Sequence, residues 1–246
     1  DMPGITLKDL HFSYAADTPV LRGVSLDVAP RQIVALLGRN GAGKTTTFRI
    51  ATGLLAPGGG AALIDDIDLS VNRQGALKKL AFVPESSLLY QSLTAEENLN
   101  MFGMLWGVAA STIRERASSL LDELGLRPVR RHRVSALSNG MRQRLSTCVA
   151  LIHAPAVLFL DEPFSGLDVD SAAAVRRLLR RRADAGAAIL FSSHAPELVE
   201  SLADEIAILD EGRITARGSG VQIKKDGGAV RFLLAHSDRQ RWQAPA

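Results

Sequence analysis

Apolar and polar residues alternate from Ile5 to Tyr14 (ITLKDLHFSY) and again from Val20 to Val28 (VLRGVSLDV). That period of two predicts strands with one buried face. Gln32 to Gly38 (QIVALLG) is instead a continuous apolar run that stops at glycine, the pattern of a strand covered on both faces. Helical spacing begins after Gly43. Gly58 to Leu69 (GGGAALIDDIDL) reads as a turn followed by short strands, and Leu80 to Glu85 (LAFVPE) as another strand.

From about Leu88 the period lengthens. Thr94 stands three residues before Glu97, the spacing of a capping box, and Leu99, Phe102, Met104 and Leu105 follow it. Ser111 is expected to cap a second helix that carries Ile113, Ala117, Leu120, Leu121 and Leu124 on one face. A further helix is expected from about Ser138 to Ile152. Then a strand (Ala156 to Asp161), a helix (about Asp170 to Ala185), a strand (Ala187 to Ser193), a helix (about Pro196 to Leu202) and a strand (Glu205 to Asp210) alternate. Such alternation predicts an α/β fold with a mostly parallel sheet. After Arg217 the signal fades into a tail whose composition is flexible.

Composition narrows this picture a little. The 246 residues are 46% hydrophobic and only 5% aromatic, so the core must rest on Leu, Val, Ile and Ala. A net charge of +3 does not by itself imply nucleic acid. The single cysteine, Cys148, excludes an internal disulfide framework and fits a small buried core residue. Neither a secretory signal nor a run of about 18 apolar residues is read. The chain is therefore expected not to span a membrane by itself.

The chemistry concentrates in three short stretches. GRNGAGKTT (Gly38 to Thr46) lies between a predicted buried strand and a predicted helix, the context that gives a phosphate-loop motif its meaning. Glycines let successive N–H groups curl round phosphates. Lys44 supplies a point charge, and the Thr45 hydroxyl suits Mg²⁺, a hard cation that prefers oxygen. AVLFLDEP ends a strand in Asp161, expected beside that Mg²⁺, and Glu162, expected to orient or deprotonate a water. LSNGMRQRL (Leu137 to Leu145) opens a helix with short polar residues, a second anion-binding end about a hundred residues from the first.

These stretches, in this order, resemble the nucleotide-binding subunit of ATP-binding cassette (ABC) transporters over about residues 5 to 217. GRNGAGKTT looks like the family's Walker A, AVLFLDEP like its Walker B with the catalytic glutamate, LSNGMRQRL like its signature and SGLD (Ser165 to Asp168) like its D-loop. His194 looks like the switch histidine, and Tyr14 lies where the family stacks an aromatic on adenine. Two departures stand out. Glu85 occupies the usual glutamine position of the Q-loop, and Asn139 and Met141 replace a usual glycine and glutamine in the signature. Both resemble the antibiotic, sodium and ABC-2-type efflux branch.

The resemblance implies a RecA-like P-loop core, an antiparallel β subdomain and a helical signature subdomain, at about residues 88–153 of an ATPase domain spanning 2–217. Residues 218–246 form a tail in which AVRFLL (229–234) is a candidate packing element. It implies ATP and Mg²⁺ as cofactors. Glu162, His194, Lys44 and Glu85 form the catalytic set, and Thr45, Asp161 and Glu85 serve the metal. Tyr14, Gly38, Asn40, Gly41, Ala42, Gly43, Lys44, Thr45 and Thr46 are expected on one chain's ATP, with Ser138, Asn139 and Gly140 reaching the nucleotide of a second subunit in a homodimer or heterodimer; Asp168, counted among the nucleotide-binding residues, is expected to couple the two sites. A separate membrane permease is implied, met around Phe82–Tyr90 and Met101–Trp106, at the cytoplasmic face of the cell membrane, in the direction of export.

Two rivals have specific sequence discriminators. A soluble ABC-type ATPase acting on nucleic acid or the ribosome would use the arginine-rich RRLLRRR (Arg176 to Arg182), whose bland reading is a solvated helix face, and no direct nucleic-acid binding is expected. Another P-loop enzyme, such as a small-molecule kinase, would have no use for LSNGMRQRL.

Overall fold

The computed structural model describes residues 4–225 except Ser87 and Ala195. Strands β1 (Ile5–Ser13), β2 (Pro19–Val28), β4 (Gly59–Ile64) and β5 (Ile67–Asp68) form an antiparallel sheet in the order β2-β1-β4-β5. A second sheet has six strands in the order β10-β9-β3-β8-β7-β6. It comprises β3 (Ile33–Leu37), β6 (Leu80–Val83), β7 (Val157–Leu160), β8 (Ala188–Ser192), β9 (Glu205–Asp210) and β10 (Arg213–Gly218). Every pairing in it is parallel except β9 with β10. The expected α/β architecture is thus present, with β10 added as a strand that the sequence pattern does not predict.

The continuous apolar runs are explained by two cores. Along β3, Ile33, Ala35 and Leu37 point into one buried cluster and Val34 and Leu36 into the other. A strand alternates its side chains between faces, so only a strand covered on both sides can be apolar throughout. The first cluster lies under α3 (Ala95–Leu105), α4 (Ala110–Glu123), α5 (Asn139–Leu151) and α6 (Val169–Asp184). The second is shared with the antiparallel sheet, α1 (Lys44–Ala51) and the short α2 (Arg73–Leu77). Phe48 on α1 is fully buried and meets Phe82 and Phe159 edge-on at 6.4 and 6.1 Å. Emptying that position to alanine would cost about 3–5 kcal/mol.

Among the first two helices of the helical insert, one start is capped as expected and one is not. Thr94 caps α3 in a complete capping box with Glu97. Helix α4, however, begins at Ala110 behind Ala109, which offers no side-chain cap, and Ser111 sits inside the first turn. The apolar face of α4 is built as expected, since Ile113, Ala117, Leu120 and Leu121 are buried. Packing, rather than the cap, sets where this helix starts. Helices α7 (Pro196–Leu202) and α8 (Gly220–Lys225) complete the described chain, and the AVRFLL segment lies outside the described residues. No described helix is long and apolar enough to cross a membrane.

Candidate functional site

The loop between β3 and α1 is shaped by its glycines. Gly41 and Gly43 have φ of 83° and 110°, the left-handed region that favours glycine. A side chain at Gly38 would come within 2.4 Å of the Leu209 carbonyl on β9, so that residue needs the close approach. Helix α1 then starts without any side-chain cap, which leaves its first N–H groups available. The Lys44 ammonium reaches back into the loop and donates to the Gly38 carbonyl at 2.7 Å and the Arg39 carbonyl at 3.3 Å. Burial lowers its pKa, and the carboxylates of Glu162, Asp161 and Glu85 oppose that fall.

Opposite the loop, β7 delivers its two acids to different tasks. Asp161 continues the ladder by donating its N–H to the Val83 carbonyl and is nearly buried. One of its oxygens accepts from the Thr45 hydroxyl at 3.2 Å and the other from the Ser192 hydroxyl at 2.7 Å. Glu162 leaves the strand with φ of 49°, a left-handed conformation that costs a non-glycine residue about 1–3 kcal/mol. Its carboxylate accepts from the His194 N–H at 3.2 Å. His194 Nε2 lies 3.2 Å from Glu162 Oε1, an ion-pair distance without the alignment of a hydrogen bond. Burial pushes the Glu162 carboxyl up to about 7, although the His194 N–H and Lys44 pull it down. A base poised near neutrality is suited to taking a proton from water.

Together these groups line a cleft of about 670 Å³ that also receives Tyr14, Val20, Arg39, Asn40, Thr46 and Glu85. Its size suits a nucleotide-scale ligand. Tyr14 is exposed, packs its edge against Phe12 at 4.8 Å and bonds the Thr46 hydroxyl at 3.3 Å. Gly38 serves through its carbonyl on Lys44. Ala42 faces the core, with its N–H donated to the Arg39 carbonyl. Sequence reasoning passed over Ser192, whose only signal was a polar residue at the end of an apolar strand.

Ser138, Asn139, Gly140 and Asp168 lie outside this cleft. Ser138 caps α5 by accepting from the Met141 N–H at 3.2 Å. The Asn139 side chain, the departure in the signature, turns back along its own helix and accepts from the Arg142 guanidinium. Arg142 also donates to the Leu137 carbonyl at 2.5 Å. Asp168 caps α6 by accepting from the Ser171 N–H at 2.7 Å, which holds its carboxyl below the usual range. Gly140 packs near the Gly166 carbonyl, joining the signature turn to the D-loop. The arginine-rich helix is tied to its neighbours: Arg176 to Ser201, Arg180 to Asp204 and the Leu202 carbonyl, Arg181 to Glu123. Cys148 is buried, and that burial raises its thiol well above the ordinary value.

Comparison with known proteins agrees with this geometry. Residues 21–165 match the family described as "ABC transporter". The chain is 35% identical over 228 residues to the daunorubicin/doxorubicin resistance ATP-binding protein DrrA of Streptomyces peucetius, covering 92% of this chain and 69% of that one. It is 37% identical over 221 residues to the ABC transporter ATP-binding protein NatA of Bacillus subtilis (strain 168), covering 87% and 89%. A solved ATP-binding subunit of an ABC transporter superposes with a TM-score of 0.87 at 31% identity, covering 94% of this chain and 98% of that one.

Proposed function

Because the chain belongs to the ABC transporter family, as an ATP-binding, ATP-hydrolysing subunit that pairs with a membrane permease, we propose that it drives an exporter by ATP-dependent closure of a dimer. One observation carries this reading. The cleft gathers Lys44, Thr45, Asp161, Glu162 and His194, while Ser138–Gly140 stand apart from it. A second copy's nucleotide gives the signature turn something to bind. Closure then needs ATP in both sites, and hydrolysis removes the γ-phosphate that the two halves share.

The residues divide the work. Lys44 and the loop N–H groups bind and orient the phosphates. Thr45 and Asp161 present adjacent oxygens, a donor set that fits Mg²⁺, with Glu85 at the cleft wall. That ion supplies charge neutralisation of the phosphates. Glu162 takes the proton of the attacking water, His194 contacts the γ-phosphate and Asp168 couples the two sites. Catalysis is positioning and charge stabilisation. The domain bounds fit this use: an ATPase domain of residues 2–217, with its helical part at about 88–153.

The subunit is membrane-associated through its permease, and we place it on the cytoplasmic face. Leu88 and Trp106 line a groove of about 170 Å³ with Phe82, Leu89, Phe102 and His153, and Tyr90, Met104 and Leu105 are further exposed apolar residues of the same two segments. Such a patch suits a docking surface. Export follows from Glu85 and GMRQRL, and a relative named for drug resistance supports it.

Glu162→Gln tests the mechanism. It should abolish turnover and trap an ATP-bound dimer on gel filtration; a variant with full ATPase activity would sink the assignment of the base. Single cysteines at Tyr90 and Leu105 should crosslink to a co-expressed permease, and crosslinks found only from other faces would reject the docking surface.

A further inference from the structure

Ser192 is fully buried at the end of β8 and has no part in the roles given above. The parallel register sets Leu160 of β7 opposite Phe191, so Asp161 and Ser192 meet one residue beyond the last pair. There the Ser192 hydroxyl makes two bonds of opposite sense. It donates to one Asp161 oxygen at 2.7 Å and accepts the Glu162 N–H at 2.9 Å. The first bond leaves the other Asp161 oxygen for Thr45. The second holds the Glu162 peptide, which has left the ladder in its left-handed conformation. With its backbone so held, Glu162 presents its carboxylate to His194.

We propose that Ser192 is a positioning residue that keeps two adjacent carboxylates in separate roles, Asp161 turned to Thr45 and Glu162 turned to the attacking water. This rests on the reading of Glu162 as the base. Without the hydroxyl, Asp161 loses the partner that fixes its rotation. The Glu162 N–H loses the acceptor that fixes its turn, and a partly buried donor left unpaired favours movement of the peptide. Nucleotide binding rests chiefly on Lys44 and the loop N–H groups, to which Ser192 makes no bond. The consequence is specific: binding and closure survive while the chemical step fails, because a small misplacement of a catalytic group slows turnover far more than it weakens binding.

The experiment compares Ser192→Ala, Ser192→Cys, Ser192→Thr and Glu162→Gln by steady-state kinetics, fluorescent-nucleotide binding and gel filtration with ATP. Ser192→Ala should lower kcat about 30- to 100-fold with KM and nucleotide affinity within about threefold of the parent. It should also accumulate the ATP-bound dimer that Glu162→Gln forms. Ser192→Thr, which keeps the hydroxyl, should recover most of kcat. Ser192→Cys, nearly isosteric but a weaker donor, should fall between them even if the alanine variant folds poorly. Parental kcat in Ser192→Ala and Ser192→Cys would overturn the proposal. So would parallel loss of nucleotide binding, melting temperature and kcat without dimer accumulation, the mark of a purely structural serine. If Glu162→Gln keeps parental turnover and forms no dimer, the reading of Glu162 fails and the proposal with it. If Glu162→Gln traps the dimer and Ser192→Ala does not, only the proposal fails.

Discussion

The start of α1 and the start of α5 are the two helix N-termini to which we assign phosphate contacts, and they are finished in opposite ways. At α1 no side chain caps the helix, a lysine is buried beneath the loop and two acids face it across a cleft. At α5 the helix caps itself with Ser138, and Asn139 is held by Arg142 on an exposed surface. The first end is surrounded by the groups that phosphate chemistry needs. The second has a hydroxyl, free backbone and little else. A helix end alone supplies a modest, screened attraction. It becomes useful when another molecule brings the charge and the metal to it.

The contrast is broken most severely at the cleft. Lys44→Ala should remove turnover by at least about 100-fold and weaken nucleotide binding by a single chain, read by fluorescent-nucleotide titration. Unchanged activity would reject the phosphate-loop assignment. Asn139→Glu should act only on the pair. A negative charge placed beside the partner's phosphates should raise the ATP concentration for half-maximal dimerisation about tenfold or more, in the Glu162→Gln background, while binding by the isolated chain is kept. If both measurements move together, the signature turn contributes to its own chain's cleft.

The smallest effect is a pH dependence confined to the cleft. Glu162 has its folded-state pKa raised from 4.5 to about 7, so the folded chain holds that proton more tightly than the unfolded chain. The stability this confers is complete below 4.5 and is lost as pH rises through about 7. Glu162→Gln should therefore melt higher than the parent above pH 7, by an amount on the order of 1–3 kcal/mol, and match it near pH 4. Turnover of the parent should rise with pH through the same region. Equal melting curves for the two proteins across that range would contradict the burial argument.

The sheet core and the cleft's main chemistry could be read in the sequence because their signals are local. A continuous apolar run such as Ile33–Leu37 has no other comfortable place than a strand with two covers, and Gly41 and Gly43 announce backbone that other residues avoid. What stayed hidden depends either on partners distant in the chain or on side-chain directions that a sequence does not show. Ser192 acquires its role from a register with Asp161, 31 positions away. The turning back of Asn139 depends on Arg142, and a sequence shows the pair without showing which way either points. Strand β10 was missed because its burial is shallow and alternates around arginines. The five-residue α2 holds Gly75, a poor helix former, and is pinned by the Asn72 cap instead.

The stack of His153 on Trp106 bears on how this protein behaves in a crowd. The imidazole, 4.3 Å from the indole, hydrogen-bonds through Nε2 to the Leu80 carbonyl on β6, the outermost strand of the six-stranded sheet. An outer strand is a template on which a neighbouring chain can zip. Strand β6 has only four residues, and a ring occupies one of its outward acceptors. A short edge strand with one acceptor already taken offers a neighbouring chain fewer places to pair.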